Sequence, residues 1–197
     1  AFFRGLQIFF VTVGQMVSNT IYMNNNTYIY KLYSLMSIFL YIFNNIIKDS
    51  DDNITRDSGE YVVSELARKS VIEVYDYLDI PLAELIKKQK VGNPGFDFYS
   101  ENKNQIILFG EAKYKTGYGA YQSALEQINR FEQIGTDIED LPDIDRFCSD
   151  EALANVLKKK KGFIAAFSSK STRTEVLLKH LQENEDFKSL SEYEELI

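Results

Sequence analysis

The chain has 197 residues, of which 45% are hydrophobic and 26% are charged, so it can fold around a buried core. It contains one cysteine, Cys148, and one histidine, His180, which excludes a disulfide framework and a Cys/His zinc site. The formal net charge of −7 argues against nonspecific coating of nucleic acid but is compatible with a local basic cleft. A single thiol fits a reducing, cytoplasmic setting.

The charge distribution predicts a boundary near residue 50. Residues 1–48 carry three basic residues and no acidic one, whereas the rest of the chain holds 19 of the 22 basic and all 29 acidic residues. We therefore predict an apolar N-terminal segment over residues 1–50, with strands and a helix that form an interface or are a remnant of a larger chain. The main domain is predicted over residues 51–197. The uncharged run Leu32–Ile47 is shorter than the roughly 20 apolar residues of a membrane-spanning helix, which disfavours a membrane role.

The main domain begins with helical patterns and continues with a hairpin. Apolar residues at helical spacing predict a first helix that starts with Ser58 as its N-cap and reaches Leu78. A second helix is predicted over Leu82–Lys90. Two strand-like runs follow, Phe96–Tyr99 and Gln105–Ala112, and the polar residues between them predict a β-hairpin.

The second half of the domain alternates helices with one buried strand. A helix is predicted over Tyr121–Ile134, an acidic loop over Asp137–Asp145 and a short helix over Glu151–Lys159. The continuous apolar run Gly162–Phe167 is typical of a strand that is buried on both faces. One or two helices follow from Thr172. The order of elements predicts an α/β fold with a mixed β-sheet flanked by helices.

Three charged residues on the predicted hairpin indicate a reactive site. Glu111 and Lys113 are spaced i and i+2 in a strand, so their side chains share a face. Hairpin pairing can bring Asp97 close to Glu111. Two carboxylates at a sheet edge form a hard-oxygen site for Mg²⁺, and a lysine beside them can hold a phosphate or orient a water. This arrangement is suited to metal-assisted hydrolysis of phosphodiester bonds.

The same residues carry a resemblance to a known family. Gly95-Phe96-Asp97, thirteen residues and then Glu111-Ala112-Lys113 resemble the signature of the PD-(D/E)XK nuclease superfamily. The resemblance extends over residues 58 to about 170 and implies a restriction-endonuclease-like core. It implies that Asp97 and Glu111 are metal ligands and that Lys113 is the catalytic cation. Phe96 stands where the family name has proline.

The resemblance also implies a further acid and a function. A helix before the hairpin often supplies another acid in this family, and Glu65 takes that role here, with Glu60 as its competitor. The implied activity is a Mg²⁺-dependent DNA endonuclease of restriction or antiphage-defence type, in which Mn²⁺ can substitute. Cutting both strands usually needs two sites, so a homodimer or a partner subunit is expected. The alternative is a noncatalytic nucleic-acid-binding or assembly module with a nuclease-like fold.

Other residues have weaker functional interpretations. The run Lys158–Lys161 could form one wall of a DNA channel, although a solvated helix end is the more ordinary interpretation. Gln122 and Gln127 could face the site from the following helix or belong to its polar face. His180 lies far from the motif along the chain. Cys148 lies among acids that raise the pKa of a thiol, so neither residue is assigned a catalytic role.

Overall fold

The structure is a computed structural model that describes residues 53–87, 95–115, 119–168 and 174–197. The predicted N-terminal segment, residues 1–50, lies outside the described residues, and so do residues 88–90 at the end of the predicted second helix. Within the described ranges, no helix combines the length and the apolar character that crossing a bilayer requires.

The described residues form seven helices and four strands. The helices are α1 (Asn53–Tyr75), α2 (Ala83–Ile86), α3 (Ala120–Ile134), α4 (Thr136–Ile144), α5 (Asp150–Leu157), α6 (Thr174–Glu183) and α7 (Glu185–Leu190). The strands are β1 (Phe98–Glu101), β2 (Ile107–Tyr114), β3 (Gly162–Ser168) and β4 (Glu195–Leu196).

The strands form one mixed sheet in the order β1-β2-β3-β4. β1 and β2 are an antiparallel hairpin, whereas β3 runs parallel to β2 and β4 runs parallel to β3. A parallel neighbour needs a long crossover, and helices α3, α4 and α5 lie in the connection between β2 and β3. The predicted α/β fold with a mixed sheet flanked by helices is therefore confirmed.

The sheet is buried on both faces because successive residues of a strand point to opposite sides. On one face Phe109 and Phe163 pack with Leu125 and Ile128 of α3. The other face carries a second apolar cluster that includes residues of α1, β1, β2 and β3, namely Val71, Phe98, Leu108, Ala112 and Ile164. β3 contributes to both clusters, in agreement with the prediction of a strand covered on its two sides.

The predicted acidic loop over 137–145 is wrong, because residues 137–144 belong to helix α4 and Asp145 is its C-cap. Asp137 and Asp140 occupy buried positions of that helix, where each meets a lysine. The buried face of α4 therefore carries aspartates at positions where a helix usually has apolar residues. For this reason the sequence does not mark that face by apolar residues at helical spacing. Ser58 is also not an N-cap, because α1 already begins at Asn53. The two-residue strand β4 was not predicted.

Candidate active site

Two predicted carboxylates meet where the hairpin ladder ends. The ladder between β1 and β2 ends at the pair Phe98 and Gly110, and Asp97 is the residue just before Phe98. The Asp97 amide donates to the Gly110 carbonyl oxygen at 2.9 Å, and Asp97 Oδ2 accepts a hydrogen bond from the Ala112 amide at 2.7 Å. These two contacts lie on either side of Glu111 along β2, and the charge of Asp97 is one cause of the raised pKa of Glu111. The structure therefore brings Asp97 and Glu111 together.

Asp97 is held by hydrogen bonds to its main chain and its side chain. The Ala112 amide donates to Asp97 Oδ2 at 2.7 Å. The Ala83 amide, at the start of α2, donates to the Asp97 carbonyl oxygen at 3.0 Å. The second of these bonds ties α2 to the beginning of β1. The carboxylate is thus directed across the hairpin towards β2.

Glu111 is fully buried, and its two carboxylate oxygens differ in their surroundings. Oε1 accepts a hydrogen bond from Lys113 Nζ at 2.6 Å. Oε2 is buried and has no hydrogen-bond partner among the described residues. A buried carboxylate oxygen without a partner is costly, because it has lost its hydration and gained nothing in return. This oxygen is therefore the place in the site where a cation or a hydrogen-bond donor would be most stabilising.

Glu60 reaches the same site from helix α1. Its Oε1 lies 3.8 Å from Lys113 Nζ. The preceding residue, Gly59, is buried against the Tyr114 ring of β2, and a Cβ at that position would collide with the ring. The missing side chain lets α1 approach β2 closely, and this contact sets the position of Glu60. The Lys113 ammonium thus pairs with Glu111 and Glu60, and the charge of Asp97 also contributes to its raised pKa.

Glu65 has a different partner. Its carboxylate binds Arg68 in an ion pair, with Nε and Oε2 2.8 Å apart, and Arg68 also binds Asp79. At 100° per residue, a residue five positions after Glu60 lies about 140° away around the helix. Of the two acids considered for the helical role, the structure brings Glu60 to Lys113 and pairs Glu65 with Arg68.

Burial dominates the electrostatics of the site. It raises the pKa of Asp97 to about 7, against the opposing effect of the Ala112 amide. It also raises the pKa of Glu111 to about 8, with a further increase from Asp97 and an opposing effect of Lys113. Burial alone would lower the pKa of Lys113, but the carboxylates, Glu111 first, raise it. At neutral pH the site without metal therefore tends to retain protons on its acids.

These shifts predict that the metal-free protein loses stability as the pH rises. Asp97 and Glu111 hold protons in the folded state at pH values where the unfolded chain has released them, so the free energy of unfolding falls between about pH 4 and pH 8. We expect thermal unfolding in a chelator to give a lower Tm at about pH 8.5 than at about pH 6. Asp97→Asn should flatten this dependence. An equal slope in the variant would contradict the assignment.

In the described part of the chain, neither the lysine run at 158–161 nor Gln122 contacts the site. Lys161 is buried and paired with Asp137, whereas the exposed lysines 158–160 precede β3. The register pairs Lys113 with the far end of β3, five residues beyond Gly162, or about 16 Å along the strand. Gln122 is exposed and bonds to Glu126 on its own helix. The run at 158–161 is therefore at the opposite end of β3 from Lys113.

His180 and Cys148, which lie outside the motif, have surroundings that do not favour a catalytic role. His180 is exposed on α6. Burial, followed by the charges of Glu101 and Asp145, raises the pKa of Cys148 to about 12. A thiol with so high a pKa is a poor nucleophile at neutral pH.

Two residues next to the site have no counterpart in the sequence analysis. Lys87 and Asp140 form a buried pair behind the start of β1. Lys87 follows α2 and Asp140 belongs to α4, so they come together only in the folded chain. One feature of the sequence could have indicated the position of Asp140. Asp137, Asp140 and Ile144 are spaced as the buried face of a helix, if aspartate is accepted as a buried residue.

Comparisons of the chain with models of known protein families, with curated proteins and with solved structures found no match. No residue of the site therefore takes its role from a matched relative.

Proposed function

We propose that the chain is a divalent-metal-dependent nuclease that hydrolyses phosphodiester bonds of DNA, with a restriction-endonuclease-like core. The observation that carries the proposal is the proximity of Asp97 and Glu111 at the end of the hairpin, with the buried Oε2 of Glu111 unpartnered among the described residues and Lys113 bound to Oε1. The element order from α1 to β3 supports the same proposal, because it follows the order that the resemblance to PD-(D/E)XK nucleases implies.

The residues present fit a hard divalent cation. Among the described residues, no group of three or more His, Cys, Asp and Glu side chains is placed to hold a metal ion. Mg²⁺, however, is commonly bound by one or two carboxylates together with water and substrate phosphate. Asp97 and Glu111 would be the two protein ligands, and Glu111 Oε2 has the unmet need for a positive partner. When bound, Mg²⁺ or Mn²⁺ would polarise a phosphoryl oxygen and lower the pKa of a water molecule.

Lys113 supplies the positive charge of the chain itself. Its ammonium has three donors, and in the structure one of them binds Glu111 Oε1. A second carboxylate, that of Glu60, lies 3.8 Å away. Both acids keep the ammonium protonated at the edge of the carboxylate pair, where it can orient a water or stabilise the charge that develops on a phosphoryl group.

DNA as the substrate and the restriction or defence role follow from the resemblance and are part of the proposal. A homodimer or a partner subunit belongs to it too, because one site cuts one strand at a time. A cytoplasmic location is proposed on the lone, weakly acidic thiol of Cys148.

Cleavage assays on duplex DNA, single-stranded DNA and RNA would test the function directly. We expect cutting with Mg²⁺ or Mn²⁺, none in a chelator, and a loss of about 10²- to 10³-fold in Lys113→Ala, because the variant loses a charge that acts in the transition state. Lys103→Ala is the matched control, since Lys103 is exposed in the turn of the same hairpin. Cutting that survives in Lys113→Ala would show a contaminant or a different site. Absence of cutting by the wild type on every substrate would favour the noncatalytic binding module.

The choice between the two helical acids gives a separate prediction. Glu60→Gln should lower kcat/KM about tenfold, because it removes a carboxylate that helps to hold the Lys113 ammonium. Glu65→Gln should change kcat/KM by less than about twofold, since it weakens only the partly exposed pair with Arg68. Steady-state cleavage by the two variants would decide between Glu60 and Glu65 as the helical acid. A larger loss in Glu65→Gln would restore Glu65 as the helical acid.

A further inference from the structure

A buried cluster of three side chains lies against the main chain just before Asp97. Lys87 Nζ is 2.9 Å from Asp140 Oδ1, and the two side chains are only 4% and 6% exposed. The Tyr99 hydroxyl donates to the other carboxylate oxygen, Asp140 Oδ2, at 2.7 Å. Removing two charges from water is costly, and apolar residues of similar volume often stabilise a core as well. The cluster therefore calls for an explanation other than stability.

Its hydrogen bonds converge on one residue. The Phe96 amide donates to Asp140 Oδ2 at 3.0 Å. Lys87 Nζ donates to the Phe96 carbonyl oxygen at 3.3 Å, and the Tyr99 hydroxyl lies 3.2 Å from the same oxygen. Both main-chain polar groups of Phe96 are thus bound by buried side chains of the cluster.

The carbonyl of Phe96 belongs to the peptide group that carries the amide of Asp97. The oxygen of this peptide group is held by Lys87, and its N–H is held by the Gly110 carbonyl of β2. A peptide group is planar, so fixing both ends fixes its orientation. The next peptide group is held by the Ala83 amide, which donates to the Asp97 carbonyl oxygen. With both flanking peptide groups held, the direction in which the Asp97 side chain leaves the main chain is fixed.

Gly95 lets the chain pass over the ion pair. Its φ is +150°, a conformation that favours glycine, and a Cβ there would collide with the Lys87 ammonium and both Asp140 carboxylate oxygens. The glycine two residues before Asp97 is thus needed for the chain to approach the cluster.

We infer that Asp140, with Lys87 and Tyr99, is a positioning residue that holds Asp97 in the orientation in which its carboxylate reaches the Ala112 amide, next to Glu111. The inference rests on the proposed function, in which Asp97 binds the metal. Metal ligands generally depend on outer partners for their orientation, and loss of such a partner commonly weakens metal binding about 10- to 100-fold. Here the partner acts through the Phe96 main chain.

The chain contains a matched control for this cluster. Lys161 and Asp137 form a second buried pair, with Nζ and Oδ2 2.5 Å apart and side chains 4% and 1% exposed. Asp137 belongs to the same helix as Asp140, α4. The hydrogen bond of its carboxylate goes to Lys161, which precedes β3, and not to the main chain before Asp97.

The test compares Asp140→Asn and Tyr99→Phe with Asp137→Asn. Tyr99→Phe keeps the ring and removes one hydroxyl, so it carries the test if Asp140→Asn does not fold. Two quantities are measured: the Kd for Mn²⁺ from the electron paramagnetic resonance of the free ion, and the hydrogen-exchange rate of the Asp97 amide in the metal-free protein. We expect the Kd to rise about tenfold or more in Asp140→Asn and about threefold in Tyr99→Phe, with faster exchange in both. Asp137→Asn should change neither the Kd nor the Asp97 exchange rate, taken relative to amides that exchange only by global unfolding, by more than about twofold.

Each outcome is decisive. If Asp140→Asn and Tyr99→Phe leave both quantities at the level of Asp137→Asn, the cluster is only structural and the inference is wrong. Equal effects in Asp137→Asn would also overturn it, because a general destabilisation of α4 would then explain the weaker metal binding and the faster exchange. If the wild type binds no Mn²⁺ but the exchange of the Asp97 amide still accelerates only in the first two variants, the proposed metal site fails while the positioning of Asp97 stands.

Discussion

Asp97→Asn is expected to abolish metal-dependent cleavage and, at the same time, to stabilise the metal-free protein. The variant loses one of the two carboxylates that lie close together at the end of the hairpin. A metal ligand contributes several kcal/mol to the stabilisation of charge in the transition state, so cleavage should fall by about 10²- to 10³-fold. Mn²⁺ binding should weaken in parallel.

The gain in stability follows from the same geometry. An asparagine can still accept the hydrogen bond of the Ala112 amide, and its own amide can donate towards Glu111 Oε2, which has no partner among the described residues. The charge that raises the pKa of Glu111 is removed as well. We expect the free energy of unfolding at about pH 8 to rise by about 1–2 kcal/mol, or a few degrees in Tm.

Thermal unfolding in a chelator and cleavage in Mg²⁺ would be measured on the same preparations. Glu126→Gln is the control, because it also removes one negative charge but from an exposed position on α3. It should change neither quantity. An Asp97→Asn protein that is both inactive and less stable would show that Asp97 is a structural residue rather than a ligand held in an unfavourable site.

Lys161→Met is expected to cause the largest loss of stability among these variants. The Lys161 side chain is 4% exposed, and its Nζ lies 2.5 Å from Asp137 Oδ2 and 3.4 Å from Glu132 Oε1. Methionine retains most of the aliphatic stem but leaves Asp137 buried without its cation. Breaking a buried pair in this way typically costs about 3–5 kcal/mol. The midpoint of urea unfolding should fall accordingly, with an unchanged slope.

Lys160→Met provides the comparison for this prediction. Lys160 is the preceding residue and is exposed, so the same substitution should change the free energy of unfolding by less than about 0.5 kcal/mol. Similar losses in the two variants would contradict the buried pair. A double variant with Asp137→Leu should recover part of the loss, because no isolated charge then remains in the core.

Much of the hairpin could be predicted because its signals are local. A strand has a period of two, so the spacing of Glu111 and Lys113 is sufficient to place both side chains on one face. Whether Asp97 lies close to Glu111 depends also on the register of the hairpin. The polar turn between the two strands restricts that register to a few possibilities. The structure has the register that pairs Phe98 with Gly110.

Helix α4 could not be predicted from apolar periodicity, because its inner face is partly charged. Asp137 and Asp140 are acceptable there only because Lys161 and Lys87 neutralise them. These lysines come from distant parts of the chain, 24 residues after Asp137 and 53 residues before Asp140. A local pattern contains no information about such partners, so an acidic stretch appears as a loop.

The sequence by itself determined the order of most elements from α1 to β3, although not α4, together with the buried strand and the pair of charged side chains at the end of β2. Each follows from the spacing of apolar or charged residues over a short stretch of chain, which has the period of a helix or of a strand. Only the tertiary structure decided between equivalent candidates: Glu60 rather than Glu65 beside Lys113, and Lys161 rather than its three neighbours in the core. Residues of one type in one helix or run have the same intrinsic propensities, so the sequence does not distinguish them. What distinguishes them is which one contacts another element, as Gly59 allows α1 to contact Tyr114 of β2.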